Sequence, residues 1–330
     1  MSGSRAEGTV AEAPSRRITV IRNPNAGIGA HLSSIGDAQR MRELLQRHGV
    51  AAVIETPDDE AAARQAVSRA IDDGAEVVVA AGGDGTVHLV VGGLLGTDVA
   101  LGILPLGRVM NIARALGIPR DLDAAADILA AGALRAVDVG EARTADGHTR
   151  TFLETGSVGL NAAIFREVTR ADEGELRSIV RTIWAAIRYR PARMRLELDD
   201  GVIETRALMV TASIGPYVGL GMTVAPGARL DDGRFDVSVF RRFSKLELLR
   251  HLAAIAFGRR QYAPQVRTYR SSRVRIASVH PLPARADMYD LGSTPVEFRT
   301  RPGALRVVAP AADQSVGAGS SASASGRRRM

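Results

Sequence analysis

The segment Gly82-Gly83-Asp84-Gly85-Thr86 has the residue types of a phosphate-handling loop. It follows directly on the apolar run Val77–Ala81 and leads into the helical spacing of Val87–Leu95. Three glycines let a backbone turn tightly and approach a ligand closely. Successive N–H groups in such a turn, backed by a helix N-terminus, form a concave anion site. Thr86 is placed to cap that helix or to bond a phosphate oxygen. Asp84 puts a carboxylate among phosphates, which makes sense when Mg²⁺ lies between them. The alternative is an ordinary strand–helix turn. Gly-Asp-Gly alone would suit that, but the full five residues straight after a buried apolar strand favour phosphate.

A second group of carboxylates, Asp231, Asp232 and Asp236, crowds one short segment. Carboxylates with backbone carbonyls suit a hard cation. Asp-Asp-Gly is also an ordinary solvated β-turn, and on residue types alone the turn is preferred. No G-x-x-x-x-G-K-[ST] loop is present, which excludes a Walker-type NTPase. Gly27-Ile28-Gly29 lacks the third glycine of a dinucleotide fingerprint. Cysteine is absent, which removes disulfides, thiolate metal sites and thiol nucleophiles. A reducing cytoplasm fits.

Strands and helices alternate around the first loop. Arg16–Arg22 reads as a strand ending in the turn cluster Asn23-Pro24-Asn25-Ala26-Gly27. Asp37–His48 and Asp58–Asp72 read as helices, with a strand at Ala51–Glu55 between them. Glu76–Ala81 does not alternate, so it reads as a strand buried on both faces. Val87–Leu95 (helix), Ala100–Leu104 (strand) and Leu122–Ala131 (helix) follow. This alternation predicts a mostly parallel α/β sheet. After about Arg135 the pattern changes to strands at Arg150–Glu154, Met194–Leu198, Arg206–Ser213, Phe235–Phe240, Gln265–Arg270 and Ser272–Ala277. Helical stretches at Glu173–Arg188 and Lys245–Phe257 interrupt them. Late strands are expected at Val296–Arg299 and Leu305–Val308. The expected division is an α/β domain over 17–135, with a strand within 296–310 as a candidate to complete it, and a β-rich domain over 136–295. Residues 1–16 and 311–330 are expected to be disordered tails.

The chain has 330 residues and a net charge of +7. That length suits two domains. Lys245 is the only lysine, so the positive charge is almost all arginine. Such charge suits anionic lipid or nucleotide, although codon bias accounts for the larger part. The arginines are spread out and no aromatic array interleaves with them, which argues against nucleic acid. Met1–Arg16 lacks the apolar segment of a signal peptide. Leu89–Gly107 is near membrane-spanning length, but Asp98, Pro105 and its glycines interrupt it, so no transmembrane segment is expected.

These motifs together resemble a family. Gly82–Thr86 after an apolar strand, with Asn-Pro-Asn-Ala-Gly after the first strand, is similar to the catalytic domain of diacylglycerol kinases, sphingosine kinases and bacterial lipid kinases. NAD kinases and phosphofructokinases share a related Gly-Gly-Asp-Gly loop. Three further segments resemble the lipid-kinase branch: Leu104–Gly107 followed by Asn111 and Ala113–Pro119; Ala225–Val237; and Gly292–Pro295 through Arg301–Leu305. The resemblance runs from about Ile18 to Pro310.

It implies an α/β plus β fold: an N-terminal doubly wound domain of NAD kinase/phosphofructokinase type and a C-terminal β-sandwich-like domain. It implies a lipid kinase, dependent on ATP and Mg²⁺, that phosphorylates diacylglycerol or a similar lipid alcohol. ATP would meet Asn23, Asn25, Gly27, Thr56, Gly82, Gly83, Asp84, Gly85, Thr86, Gly107, Arg108 and Asn111. Asp232 would bind Mg²⁺ with backbone oxygens at Arg229 and Arg234. Asp287 would be the general base, with Asp84 as the second catalytic carboxylate. The family's Gly and Glu after that base are replaced here by Met288 and Tyr289, with Asp290 one residue beyond. Arg108 stands where the family has Thr or Ser, and His88-Leu89 where it has Asn-Glu; His88 is expected at a helix surface or interface.

The expected setting is the cytoplasm, peripheral at a membrane surface visited transiently; the basic amphipathic stretch Glu173–Arg193 suits anionic lipid, and packing on the β-rich domain with a solvated charged face fits it at least as well. A homodimer is left open. Two other functions stay open: a nucleotide- or lipid-binding regulator with impaired catalysis, and an NAD-kinase-like enzyme with a soluble acceptor.

Overall fold

The fold is seen in a computed structural model, which describes residues 16–24, 38–169, 188–219, 221–241 and 266–310. The expected tails, the helical stretches Glu173–Arg188 and Lys245–Phe257, and the loop positions Asn25 and Gly27 lie outside the described residues, apart from Arg16 and Arg188.

The first half alternates as the hydrophobic pattern predicts: β1 (Ile18–Arg22), α1 (Ala38–Arg47), β2 (Ala52–Glu55), α2 (Glu60–Asp72), β3 (Val77–Gly82), α3 (Asp84–Leu94), β4 (Ala100–Pro105), α4 (Asn111–Ala115) and α5 (Leu122–Ala131). β2, β1, β3 and β4 lie side by side and are parallel. Every residue of β1, β3 and β4 is buried, which is why their sequences run apolar without alternation. Met41, Leu44 and Leu45 of α1 and Ala66, Val67 and Ala70 of α2 face the same core. Asp59 and Asp121 cap α2 and α5 by accepting the N–H groups of Ala62 and Ala124.

The second half is antiparallel: β5 (Ala133–Thr144), β6 (Thr149–Phe152), β7 (Thr155–Gly159), α6 (Leu160–Thr169), β8 (Ala192–Leu198), β9 (Gly201–Ala207), β10 (Met209–Ser213), β11 (Tyr217–Val218), β12 (Met222–Thr223), β13 (Phe235–Phe240), β14 (Val266–Ser271), β15 (Arg273–Ser278), β16 (Pro283–Ala286), β17 (Tyr289–Ser293) and β18 (Val296–Ala309). One sheet has the order β14-β13-β10-β7-β16-β17. The other continues the parallel sheet through β18 into β15, β8 and β9. A second apolar core fills the space between, with Phe152 stacked on Phe235 at 5.8 Å and edge-on to Phe298 at 5.7 Å.

Two readings of the sequence are refined. Arg206–Ser213 is two strands, β9 and β10, in different sheets. The two late strands are one, β18, which pairs with β5 along its length and breaks register between Arg301 and Leu305, where Pro302 and Gly303 stand. The β16–β17 hairpin and α6 had no clear signal. Among the described residues no helix is long and apolar enough to cross a membrane.

Candidate active site

The parallel strands carry their loops at their C-terminal ends, the usual ligand side of such a sheet. β3 ends at Gly82, and α3 begins at Asp84 with Gly83 as its N-cap, so the five-residue loop is the helix's first turn. Gly83 offers no side chain to cap that end. Gly82 has no room for more: a Cβ there would stand 2.2 Å from Thr86 Oγ1. The Asn23 side chain donates to that same hydroxyl at 3.3 Å, and its backbone N–H donates to Ala81 O at 3.0 Å.

The second loop packs backbone against backbone. Leu106 and Gly107 donate their N–H groups to Gly82 O at 3.0 and 3.1 Å. A Cβ on Gly107 would lie 2.6 Å from Gly83 Cα. Asn23, the loop 82–86, Gly107 and Asn111 are thus brought together, with Arg108 on the exposed side of the second loop. Arg108, Arg114 and Arg120 line a cavity of about 320 Å³ beside it. Thr56 follows the edge strand β2, separated from β3 by β1.

Asp84 turns toward α4. Its carboxylate accepts the Ile112 N–H at 3.4 Å. Burial pushes its pKa up, against the N–H groups of residues 110–112 and the nearby His88. One turn further along α3, His88 is buried where the helix meets the β16–β17 turn, an interface rather than a surface position. Its Nε2 lies 3.1 Å from Asp287 Oδ2, both side chains being almost fully enclosed. The ring meets Tyr289 edge-on at 6.1 Å.

Asp287 sits in the β16–β17 turn with φ +43°, a left-handed conformation that Asp tolerates better than most residues. Leu153, Glu154 and Thr155 donate their N–H groups to its carboxylate at 2.6, 3.1 and 2.7 Å. Burial alone would push the pKa of Asp287 up; the His88 hydrogen bond and charge, with the Leu153 and Thr155 N–H groups, outweigh it and hold the group below the ordinary range. His88 shows the mirror effect: burial opposes its charge, and Asp287 outweighs burial, so its pKa is raised.

Glu154 completes the cluster, and sequence reasoning missed it. Asn111 Nδ2 donates to Glu154 Oε2 at 2.9 Å and to Gly219 O at 2.9 Å. Burial, then the charges of Asp287 and Asp84, push Glu154 well above the carboxylate range, against Asn111 and Arg285. The Arg285 guanidinium donates to the Asp287 carbonyl and lies 4.1 Å over the Phe165 ring. Arg22 was also missed. It is buried at the end of β1 beside Ala81, and no described group bonds its Nε.

The positions at which the sequence departs from the motif have definite places. Met288 reaches over the loop, its Cε 3.3 Å from where a Cβ on Gly85 would be. Asp290 is paired with Arg166 at 2.6 Å. The aspartate-rich turn starts at Leu230, which lines one cavity with Asn111 and Glu154. Asp232 accepts the Arg234 N–H at 3.0 Å and pairs with Arg270, which also faces Asp236 at 3.7 Å. Asp231 pairs with Arg229 at 3.2 Å. The donors of this turn are oxygens, the kind a hard cation takes, and Arg270 is the cation they hold here.

Two family models match the chain. The diacylglycerol kinase catalytic domain covers residues 17–142, and the YegS C-terminal NAD kinase beta sandwich-like domain covers residues 155–309. The chain belongs to the diacylglycerol kinase family of lipid kinases. This lipid kinase is 29% identical over 299 residues to a Mycobacterium tuberculosis protein named diacylglycerol kinase, covering 89% of this chain and 95% of the relative. It is 26% identical over 304 residues to the diacylglycerol kinase of Bacillus subtilis (strain 168), covering 89% and 97%. Two solved structures from Bacillus anthracis str. Sterne share the fold of the lipid kinase at TM-scores of 0.69 and 0.65 and identities of 20% and 18%, each covering 90% of this chain. The expected α/β plus β architecture is therefore correct.

Proposed function

We propose that this lipid kinase transfers the γ-phosphate of ATP, with Mg²⁺, to the hydroxyl of diacylglycerol or a similar lipid alcohol at a membrane surface. The observation that carries this reading is the pairing of an open helix N-terminus at Gly83–Thr86 with a carboxylate cluster across α4. Phosphoryl transfer needs positioning and charge neutralisation more than covalent chemistry. The N-terminus of α3 supplies donors and a positive dipole end for phosphate oxygens. Asn23 and Thr86 join it, with Asn25, Gly27, Thr56 and Arg108 as further nucleotide contacts. Asp232, with the carbonyls of Arg229 and Arg234, would hold Mg²⁺, which would take the place of Arg270 and order the turn. The names of the relatives support diacylglycerol as the first acceptor to test.

The test is labelled ATP with Mg²⁺ and mixed micelles of lipid alcohols, run in parallel with NAD as a soluble acceptor. Label should enter a chloroform-soluble product, and Asp84→Asn should reduce it by about 100-fold or more. Nucleotide binding without transfer to any acceptor would favour a regulator instead, and label on NAD a soluble-acceptor kinase.

A further inference from the structure

The residue expected to act as general base, Asp287, has no lone pair to spare. Its Oδ1 accepts from Glu154 and Thr155; its Oδ2 accepts from Leu153 and faces His88 Nε2. A carboxylate oxygen accepts about two hydrogen bonds. A proton arriving at Asp287 would have to displace one of these partners inside a sealed pocket.

Glu154 is the opposite case. It is only partly buried, and among the described residues its sole side-chain partner is Asn111, on Oε2. Among the described residues no group bonds its Oε1. Asn111, which holds its Oε2, has a buried Oδ1 that is equally without a partner among the described residues. Two oxygen acceptors left open at one place suit a donor that arrives with the substrate, and an alcohol O–H is such a donor. Asp84 does not compete for this role, because it lies in the phosphate loop and bonds the start of α4.

We propose that Glu154 is the catalytic base that takes the proton of the attacking hydroxyl, and that Asp287 is a positioning residue that fixes Glu154 by holding its backbone N–H. The inference rests on the proposed phosphoryl transfer. In the step, the alcohol oxygen bonds to the γ-phosphorus as its O–H proton passes to Glu154 Oε1. The bond from the γ-phosphorus to the β–γ bridging oxygen breaks, and ADP leaves with that electron pair. The products are a phosphomonoester, ADP and a protonated Glu154, which returns its proton to solvent.

The electrostatics agree with this assignment. The groups facing Glu154 are Asp287 from the β16–β17 turn, Asp84 from α3, Arg285 from β16 and Asn111 from α4, with His88 behind Asp287. Burial and the two carboxylates outweigh the others and push its pKa upward, toward the range in which a base works at neutral pH. Asp287 is held the other way.

The experiment is the pH dependence of single-turnover transfer to a lipid alcohol in mixed micelles, for the wild type, Glu154→Gln and Glu154→Asp, with ATP affinity measured alongside. Wild-type activity should fall on the acid side as the base protonates. Glu154→Gln should bind ATP normally, lose about 100-fold or more in rate and lose that acid limb. Glu154→Asp should keep a limb, displaced to lower pH. An active Glu154→Gln enzyme with an unchanged limb overturns the assignment. A wild type that transfers nothing to lipid overturns the underlying function instead. Should the variants not fold, the wild type still decides: the infrared carboxyl band that titrates across the limb should shift with ¹³C-glutamate labelling. A shift with ¹³C-aspartate labelling in its place overturns the proposal.

Discussion

His88 and Glu154 give the site a pH signature that concerns stability rather than rate. A group whose pKa is raised on folding stabilises fully below its unfolded value, and that contribution is lost as pH rises through the folded value. His88 is raised above 6.5 and Glu154 well above 4.5, so each contribution is lost as pH rises from that value through the higher folded one. Asp287 has the opposite sign: its contribution is present above its unfolded value of 3.8 and is lost as pH falls through the lower folded one. Denaturant midpoints should therefore decline as pH rises past about 6.5. His88→Gln should flatten the decline and cost on the order of 3 kcal/mol at the acid end, because it strands a buried Asp287 charge. An unchanged slope would mean that His88 is neutral in the fold. None of this was legible in the sequence. Asp84 and its glycines announce themselves by being contiguous, whereas Glu154 acquires its role from Asp287, 133 residues away, and from Asn111, 43 residues away. A lone Glu at the end of a strand-like run carries no such signal.

At the scale of elements, the decisive contact is between the loop that starts α3 and the loop that follows β4. Gly107 has to be glycine because Gly83 Cα occupies the space of its side chain. Gly107→Ala should force the two backbones apart, destabilise the fold by about 1–3 kcal/mol and weaken ATP binding more than lipid binding. Thermal unfolding and nucleotide titration would read the two effects separately; equal affinity with lowered stability would show that the loops act independently. The elements themselves were largely readable, because buried parallel strands and amphipathic helices leave periodic marks. The β16–β17 hairpin was not, although it carries Asp287. Its strands are short, and the sequence Ala286-Asp287-Met288-Tyr289 contains neither Gly nor Asn to mark a turn. The left-handed residue is Asp287 itself.

Across the whole molecule, β5 and β18 form a long antiparallel ribbon that belongs to both cores, and Asp138 fastens it. That buried carboxylate accepts the N–H of Gly233, in the aspartate-rich turn, at 2.6 Å and the N–H of Gly303, in the irregular part of β18, at 2.9 Å. Asp138→Ala leaves two N–H groups without their acceptor and should cost about 2–5 kcal/mol, with an unchanged urea m-value if the molecule still unfolds as one unit. A split into two transitions would mean that the fastening joins otherwise separate bodies. The ribbon also has a consequence for synthesis. β4 pairs with β3 on one side, and on the other with β18 through Leu101 and Val307. During translation β4 emerges long before β18 exists, so the nascent parallel sheet carries an open edge for most of the elongation time. Open edges recruit strands from other chains, and pairings this distant in sequence form slowly. The enzyme's dependence on chaperones should therefore be concentrated in the interval before residue 309 leaves the ribosome.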